Sequence, residues 1–255
     1  MFTPRCDNEI CAVKGCRHNS KPMKQKIFAL VPAAGTGTRF GDTLPKQYLD
    51  IDGRPLIFHA LAALAKVSRI EDITVVLSPD DNHWEDYGAH WAILGARISV
   101  ARVGGKSRGE TIMNGLNTLA VRPYLNPDDW AMVHDAARPC IRTELVEQFI
   151  DELEADRVGG LLALPLADTI KFDDGDMRVE KTIPRQGLWR AQTPQMFRFD
   201  LLKRALVAFP AATDEAEAIE QLGLQPKLVM GDSANLKVTY APDLRLATML
   251  LTDKK

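Results

Sequence analysis

Short, nearly unbroken apolar runs alternate with amphipathic stretches from Ile27 onward, and this alternation constrains the fold more than any other feature of the 255-residue sequence. Buried strands are predicted at 27–31, 73–77, 130–133 and 160–164, and a further strand is predicted at 227–230. Amphipathic helices are predicted at 55–64, 108–120, 143–155, 199–209, 213–222 and 241–251. Strands that alternate with helices predict an α/β fold, in which helices cover both faces of a Rossmann-like, mostly parallel sheet.

Two helix starts are predicted from local residue preferences. Pro55 is expected at the first helical position, where the missing backbone N–H is no loss. Thr143 is expected to cap the helix that follows it, because its hydroxyl can accept from a backbone N–H of the first turn.

The charge balance and the hydropathy exclude two classes of protein. The chain has 32 Lys and Arg against 34 Asp and Glu, a net charge of −2. DNA- and RNA-wrapping domains usually carry a strong basic excess, which is absent here. No apolar run approaches the roughly 18–20 residues that a membrane helix needs. We therefore expect neither a nucleic acid nor a membrane among the partners.

Residues 1–26 differ in composition from the rest of the chain. They carry a net charge of +4 against −6 for the remainder, and they hold Cys6, Cys11 and Cys16. A zinc site formed with His18 is one interpretation, but the cysteine spacing matches none of the usual ligand patterns. The alternative, a disordered polar extension, is the one that we favour.

The same segment bears on the compartment. It has no apolar stretch of about 7–15 residues, as a secretory signal requires, so we expect a cytoplasmic protein with reduced thiols. Met23 stands just before the first predicted strand and is a candidate for the natural start. Residues 27–255 are then expected to form a single domain.

The alternation is interrupted at about 166–186. Four turn-forming residues, Asp173 to Asp176, separate two strand-like runs at 169–172 and 177–183, which predicts a β-hairpin. A hairpin inserted into such a sheet usually projects from it. Three roles are open from the residues alone: a surface excursion, a dimerisation arm or a substrate flap.

A loop of small residues follows the first predicted strand, from Pro32 to Gly41. Such a loop lets backbone N–H groups approach an anion, so phosphate binding is the hypothesis and a tight turn without a ligand is the alternative. Phe40 holds the place of the third glycine in a dinucleotide-binding fingerprint. Asp42 follows Gly41 where a Walker loop has lysine, so neither familiar motif is present.

Two cations near this loop favour chemistry over a simple turn. Arg39 lies in the loop and Lys46 follows it closely. Each alone is most simply a solvated surface charge. Together with the loop, they can neutralise the charge that builds on an α-phosphate and a leaving pyrophosphate during nucleotidyl transfer.

The motifs resemble those of sugar-nucleotide pyrophosphorylase-type nucleotidyltransferases, and more narrowly those of the 2-C-methyl-D-erythritol 4-phosphate cytidylyltransferase family. The resemblance rests on residues 32–39, 45–47, 104–108, 133–139, 168–169, 187–195, 213–216 and 235–239. It covers essentially residues 27–251 in order, and the first 26 residues fall outside it.

The resemblance implies a reaction. The family transfers CMP from CTP to the phosphate of 2-C-methyl-D-erythritol 4-phosphate, giving 4-diphosphocytidyl-2-C-methyl-D-erythritol and pyrophosphate in non-mevalonate isoprenoid precursor synthesis. The acceptor phosphate is already ionised at neutral pH, so no general base is expected. By resemblance, Arg39 and Lys46 match the transition-state stabilisers, Arg185 and Lys237 match the pair that positions the acceptor, and Thr169 matches a further acceptor contact.

The resemblance also implies partners. In that family the hairpin arm crosses to the partner subunit. A homodimer with exchanged arms is therefore expected, in which Thr169 and Arg185 complete the neighbour's active site. A monomer would then be a poor catalyst.

The remaining matched positions belong to the nucleotide. They are Ala33, Ala34, Gly35, Gly105, Thr111, Asp135, Ala136 and Arg138. We further infer that Asp135 helps to hold Mg²⁺, the expected cofactor, since this ion prefers hard oxygen ligands; a helix cap is the alternative for Asp135. His134 is expected to be a packed or hydrogen-bonded neighbour, because no second histidine is suitably spaced for a metal.

Three other functions compete with this one. A cytidylyltransferase for another polyol phosphate, such as ribitol 5-phosphate, shares most nucleotide-side motifs, although Thr169, Arg185 and Lys237 favour methylerythritol phosphate. A non-catalytic nucleotide-binding regulator is disfavoured by the presence of Arg39 and Lys46. A dinucleotide oxidoreductase is disfavoured by the misplaced third glycine.

Overall fold

The computed structural model describes residues 25–35 and 44–252. The predictions made for residues 1–24, which include the extension, the zinc candidates and Met23, lie outside the described residues. So does Arg39, which lies in the undescribed part of the loop from Pro32 to Gly41, called the glycine loop.

Eleven strands are found among the described residues. They are β1 (Ile27–Pro32), β2 (Asp50–Ile51), β3 (Arg54–Pro55), β4 (Ile70–Val76), β5 (Ile98–Ala101), β6 (Trp130–Val133), β7 (Gly159–Pro165), β8 (Ile170–Asp173), β9 (Val179–Ile183), β10 (Trp189–Arg198) and β11 (Lys227–Met230). Seven of them form one sheet in the order β11-β7-β10-β6-β1-β4-β5. Only β10 runs antiparallel to its neighbours, so the predicted mostly parallel sheet is confirmed.

Helices cover both faces of this sheet. They are α1 (Leu56–Lys66), α2 (Gly88–Ile93), α3 (Arg108–Ala120), α4 (Thr143–Leu153), α5 (Phe199–Ala208), α6 (Glu215–Gln221) and α7 (Ala241–Thr252). Alternate residues of β1 point to opposite faces: Ala29 and Val31 lie in the core with α1 and α4, while Phe28 and Leu30 lie in the core with α3, α5 and α6. The two buried layers explain why β1 is apolar on both sides.

Two predicted helix starts are wrong by one residue. Pro55 pairs with Asp50 in the β2–β3 hairpin and has an extended backbone, so α1 begins at Leu56. Thr143 is itself the first residue of α4, and its hydroxyl donates to the carbonyl of Ala63 at 3.1 Å instead of capping the helix. In both cases a contact with another element takes the residue from its expected local role.

The predicted hairpin is present. β8 and β9 pair antiparallel as a separate two-stranded sheet, and most of their residues are exposed. We keep the name arm for residues 166–186. Its contact with a second subunit and the single-domain boundary at 27–255 stay predictions. Within the described part of the chain, no helix has the length and apolar character needed to cross a membrane.

Candidate active site

A cavity of about 460 Å³ opens beside the loop that follows β1, at the carboxyl ends of the central strands. Clefts of this size and position are the usual ligand sites of open α/β sheets. It is lined by Pro32, Ala33, Ala34, Gly35, Lys46, Gln47, Gly105, Lys106, Ser107, Arg108, Thr111, Asp135, Ala136, Ala137 and Lys237. Nine of the predicted site residues are thus brought together from five separate segments.

Close backbone packing shapes the small-residue side of the cavity. The N–H of Ala33 donates to the carbonyl of Val76 at 2.8 Å, and the side-chain amide of Gln47 donates to the carbonyl of Ala33 at 2.8 Å. A Cβ atom on Gly104 would lie 2.2 Å from the Cβ of Ala34 and 2.7 Å from the carbonyl oxygen of Leu77. Only glycine fits at this position, so the two loops that form the cavity rim are held against each other.

Thr111 acts on the neighbouring loop rather than pointing away from it. Its hydroxyl oxygen accepts from the backbone N–H of Gly105 at 3.0 Å. Ser107 caps α3 by accepting from the N–H of Glu110 at 3.1 Å. The loop between β5 and α3 is therefore fixed by the first turn of the helix, with the backbone of Gly105 on the cavity wall.

Asp135 lies two residues beyond β6 and is the central anion of the site. Its Oδ1 accepts from Arg108 at 2.9 and 3.0 Å, and its Oδ2 lies 2.7 Å from the Lys237 ammonium. Burial raises the pKa of this carboxyl, but the charges of Arg108 and Lys237 hold the pKa well below its ordinary value. Asp135 is therefore ionised at neutral pH, and it pairs with cations instead of capping a helix.

Arg108 also holds a second carboxylate. Its two terminal nitrogens donate to the two oxygens of Glu215 at 2.7 and 3.0 Å, a bidentate pair. Neither residue was assigned a role from the sequence, although both lie within motifs that carry the family resemblance. Charges of alternating sign thus run from Glu215 through Arg108 and Asp135 to Lys237.

Lys46 lines the same cavity and contacts the segment that carries Lys237. Its Nζ donates to the backbone carbonyl of Val238 at 2.8 Å, directly after Lys237. The N–H of Val238 donates in turn to the carbonyl of Ala137 at 2.8 Å. The segment that carries Lys237 is therefore tied both to the loop after β6 and to Lys46.

Arg138 takes a different place from the one predicted. It does not line the cavity; its guanidinium is buried and donates to the carbonyls of Asn235 at 2.8 Å and Ala191 at 3.3 Å. Burial lowers the pKa of Arg138. Its contacts hold the segment before Lys237 against β10, so the described structure gives it a supporting position behind the site.

His134 is a buried, hydrogen-bonded residue. Its Nδ1 lies 3.2 Å from the Thr193 hydroxyl and its Nε2 lies 3.2 Å from the carbonyl oxygen of Arg138. Burial lowers the pKa of His134 to about 4, so the ring is neutral at physiological pH. The Thr193 hydroxyl also accepts from the N–H of Asp135 at 3.0 Å, so Thr193 links the histidine ring to the backbone of Asp135.

Thr169 and Arg185 lie on the arm and do not line the cavity of their own chain. Both are exposed. The Arg185 guanidinium donates to the carbonyl of Ala167, at the base of the same arm.

Asp135 is the residue that fits a divalent cation. The described residues contain no group of three or more His, Cys, Asp or Glu side chains that could enclose a metal by themselves. Mg²⁺, however, is commonly held by one or two carboxylates together with substrate phosphates. An ionised carboxylate on the cavity wall is compatible with that arrangement.

Known proteins resemble this chain over most of its length. The family pattern of 2-C-methyl-D-erythritol 4-phosphate cytidylyltransferase matches residues 27–253. A protein of that name from Dechloromonas aromatica is 54% identical over 228 residues, which are 89% of this chain and 98% of the relative. Another from Nitrosospira multiformis is 50% identical and covers 91% of this chain and 100% of its own length.

A solved structure shows the same fold. The crystal structure of a 4-diphosphocytidyl-2C-methyl-D-erythritol synthase superposes with a TM-score of 0.80 at 36% identity, covering 90% of this chain and 100% of that chain. A Francisella tularensis 2-C-methyl-D-erythritol 4-phosphate cytidylyltransferase superposes with a TM-score of 0.73 at 28% identity, covering 88% and 99%. The chain therefore belongs to the 2-C-methyl-D-erythritol 4-phosphate cytidylyltransferase family.

Proposed function

We propose that this chain transfers CMP from CTP to the phosphate of 2-C-methyl-D-erythritol 4-phosphate in the cavity beside the glycine loop. The observation that carries the proposal is the meeting of Lys46, Lys237 and the ionised Asp135 on one wall of that cavity. Family membership supports the reaction class, and the wall supplies the charges that such a reaction needs.

The chemistry is a displacement at phosphorus. An oxygen of the acceptor phosphate attacks the α-phosphorus of CTP, a new P–O bond forms, and the bond to the bridging oxygen breaks so that pyrophosphate leaves. The attacking oxygen already carries negative charge, so no residue has to remove a proton. The enzyme's task is to hold two polyanions together and to stabilise the charge that moves onto the pyrophosphate.

Lys46 and Lys237 divide that task. The Lys46 ammonium, with Arg39, stabilises the charge on the α-phosphate and the leaving group. Lys237 positions the acceptor phosphate, and its pairing with Asp135 at 2.7 Å supports a defined orientation. Asp135 would also hold Mg²⁺, which supplies neutralisation of the triphosphate when it is bound.

The nucleotide would occupy the side of the cavity formed by small residues. Backbone groups of Ala33, Ala34 and Gly105 can distinguish cytosine from uracil, because cytosine presents an amine where uracil presents a carbonyl. Gly35 offers its N–H to the phosphates. Thr111 supports the loop of Gly105 through its hydroxyl, and Ala136 lines the same cavity. Arg138 supports the site from behind, where it holds the segment before Lys237 against β10.

The acceptor side would be completed by a second copy of the chain. Thr169 and Arg185 do not line the cavity of their own subunit, and the arm that carries them forms its own exposed sheet. Arm exchange in a homodimer would bring them to the partner's cavity, where the Arg185 fork suits a phosphate.

The acceptor is tested by direct comparison. The purified chain is incubated with CTP and Mg²⁺ and either methylerythritol phosphate or ribitol 5-phosphate, and pyrophosphate release is followed. We expect turnover to require an acceptor and to be faster with methylerythritol phosphate. Equal or faster turnover with ribitol 5-phosphate would favour the other polyol phosphate, and CTP binding without pyrophosphate release would favour a regulator.

A further inference from the structure

Glu215 is a fully buried carboxylate at the start of α6, with 1% of its surface exposed. It does not line the cavity, yet both its oxygens are bonded to Arg108, which does. Burying two opposite charges is expensive, and such a pair contributes little net stability compared with apolar residues of similar volume. Net stability therefore does not account for this pair.

The geometry of the pair fixes an orientation. The two parallel bonds from Arg108 to Glu215, at 2.7 and 3.0 Å, hold the plane of the guanidinium. They leave the Nε side of the group directed at Asp135, where Nε donates at 3.0 Å. Lysine at position 108 could not do the same, because an ammonium has no planar fork.

Glu215 is itself held in place from the sheet. The side-chain amide of Gln195 on β10 donates to Asp214 at 3.0 Å, and its carbonyl oxygen accepts from the N–H of Ala216 at 2.9 Å. The residues on both sides of Glu215 are thus bonded to one strand residue. The carboxylate that orients Arg108 is anchored in the central sheet.

We propose that Glu215 is a positioning residue for the transfer reaction, which acts through Arg108 to set the orientation of Asp135 and Lys237. The inference rests on the proposed function, which has Asp135 and Lys237 at the reacting phosphates. Without the Glu215 charge, the whole guanidinium of Arg108 turns to Asp135 and competes with Lys237 for the carboxylate. Lys237 then loses its fixed partner, and the acceptor phosphate loses its alignment.

The first test is Glu215→Gln, which keeps the shape of the side chain and removes its charge. We expect kcat with CTP and methylerythritol phosphate to fall about tenfold or more, since small misplacements of reacting groups are costly. The KM for CTP should change by less than about threefold, because the nucleotide loops are untouched. Glu220→Gln, an exposed carboxylate on the same helix, is the matched control and should leave both constants unchanged.

The second test separates positioning from general loss of structure. In a Lys237→Ala background, Glu215→Gln should reduce kcat by less than about twofold, because its effect passes through Lys237. An equal reduction in both backgrounds, or a wild-type kcat in Glu215→Gln, would overturn the proposal. Glu215→Asp, which restores the charge but shortens the side chain, should recover part of the lost kcat.

Stability is checked alongside. If Glu215→Gln does not fold, Glu215→Asp decides: a wild-type kcat there contradicts a positioning role, and a several-fold lower kcat with an unchanged KM for CTP supports it. A wild-type enzyme that releases no pyrophosphate with methylerythritol phosphate, but does so with another acceptor, contradicts the proposed function and leaves the Glu215 comparison measurable with that acceptor.

Discussion

The polar side chains at the cavity and those on the arm differ in burial and in bonding. Asp135 on the wall and Glu215 behind it are buried, and each is bonded to Arg108. On the arm, Thr169 and Arg185 are exposed and have no contact with the cavity of their own chain. The difference teaches that the contacts of the wall are complete within one chain, whereas the role proposed for the arm requires a second copy of the chain.

The largest expected effect is on the wall. Lys46→Ala should lower kcat by about 10²–10³-fold, the usual cost of removing a group that stabilises transition-state charge. The affinity for CTP should fall much less, because the cytosine contacts lie on other residues. Steady-state kinetics together with a CTP titration measure both quantities.

The matched control is Lys66→Ala, which removes an exposed ammonium at the end of α1. It should leave kcat and CTP affinity unchanged. A higher KM with a normal kcat in Lys46→Ala would mean that Lys46 only binds the substrate, and the wall would then lack the catalytic role proposed for it.

On the arm, Arg185→Ala should lower kcat/KM for the acceptor by about tenfold to a hundredfold, because a bidentate phosphate contact is lost. Affinity for CTP should not change. If the arm serves the partner, mixing Lys46→Ala and Arg185→Ala chains gives dimers with one intact site. About a quarter of wild-type activity should return. Random pairing makes about half of the dimers mixed, and each mixed dimer has one intact site and one site that carries both defects.

Arg178→Ala, at the turn of the same arm, is the control and should behave as wild type. A mixture no more active than the sum of its two components would contradict arm exchange. In that case, any effect of Arg185→Ala on the acceptor would have to arise in the cavity of its own chain.

The sequence predicts the layered fold because apolar periodicity reports burial. The range of α3 was predicted without error, and Ile112, Leu116 and Leu119 are buried as their spacing requires. β10 was missed because its interior holds Gln192, Thr193 and Gln195, which read as a loop. All three are buried, and each is bonded across to another segment, which no local pattern reveals.

The sequence also predicts part of the site, namely the residues that lie in recognisable motifs. Motifs located Lys46, Asp135 and Lys237, which the fold does bring to one cavity. Arg108 and Glu215 are 107 residues apart, so their pairing depends on how the fold brings the starts of α3 and α6 together and has no local signal. Arg138 donates to the backbone carbonyls of Asn235 and Ala191, contacts that no motif indicates, and its place at the nucleotide stays a prediction.

A smaller effect is expected from the rim of the cavity. Gly104→Ala would place a methyl group 2.2 Å from the Cβ of Ala34, so one of the two loops must shift. We expect the KM for CTP to rise about tenfold, with stability lowered by about 1–3 kcal/mol. Gly88→Ala, where a Cβ would meet nothing within 4 Å, is the control. An unchanged KM for CTP would show that this loop does not contact the nucleotide.

The smallest effect is a loss of stability in acid, and it comes from His134, buried next to Asp135 of the wall. Burial lowers the pKa of His134 to about 4, whereas in the unfolded chain the ring has its ordinary pKa of about 6.5. Between these two values the unfolded chain binds a proton that the folded chain does not. The free energy of unfolding should therefore decrease as the pH falls, by about 2 kcal/mol between pH 7 and pH 5 from this residue.

Equilibrium urea unfolding at pH 7, 6 and 5 measures the decrease. His134→Gln should flatten the dependence, whereas His83→Gln, at a partly exposed position, should keep it. The same dependence in His134→Gln and wild type would assign the acid sensitivity to other groups.

Hydrogen exchange gives a local measurement of the same effect. Because His134 bonds to Thr193, which accepts from the N–H of Asp135, the backbone amide of Asp135 should lose its hydrogen-exchange protection as the pH falls. The arm carries no histidine, so the amides of β8 and β9 should keep their relative protection over the same range.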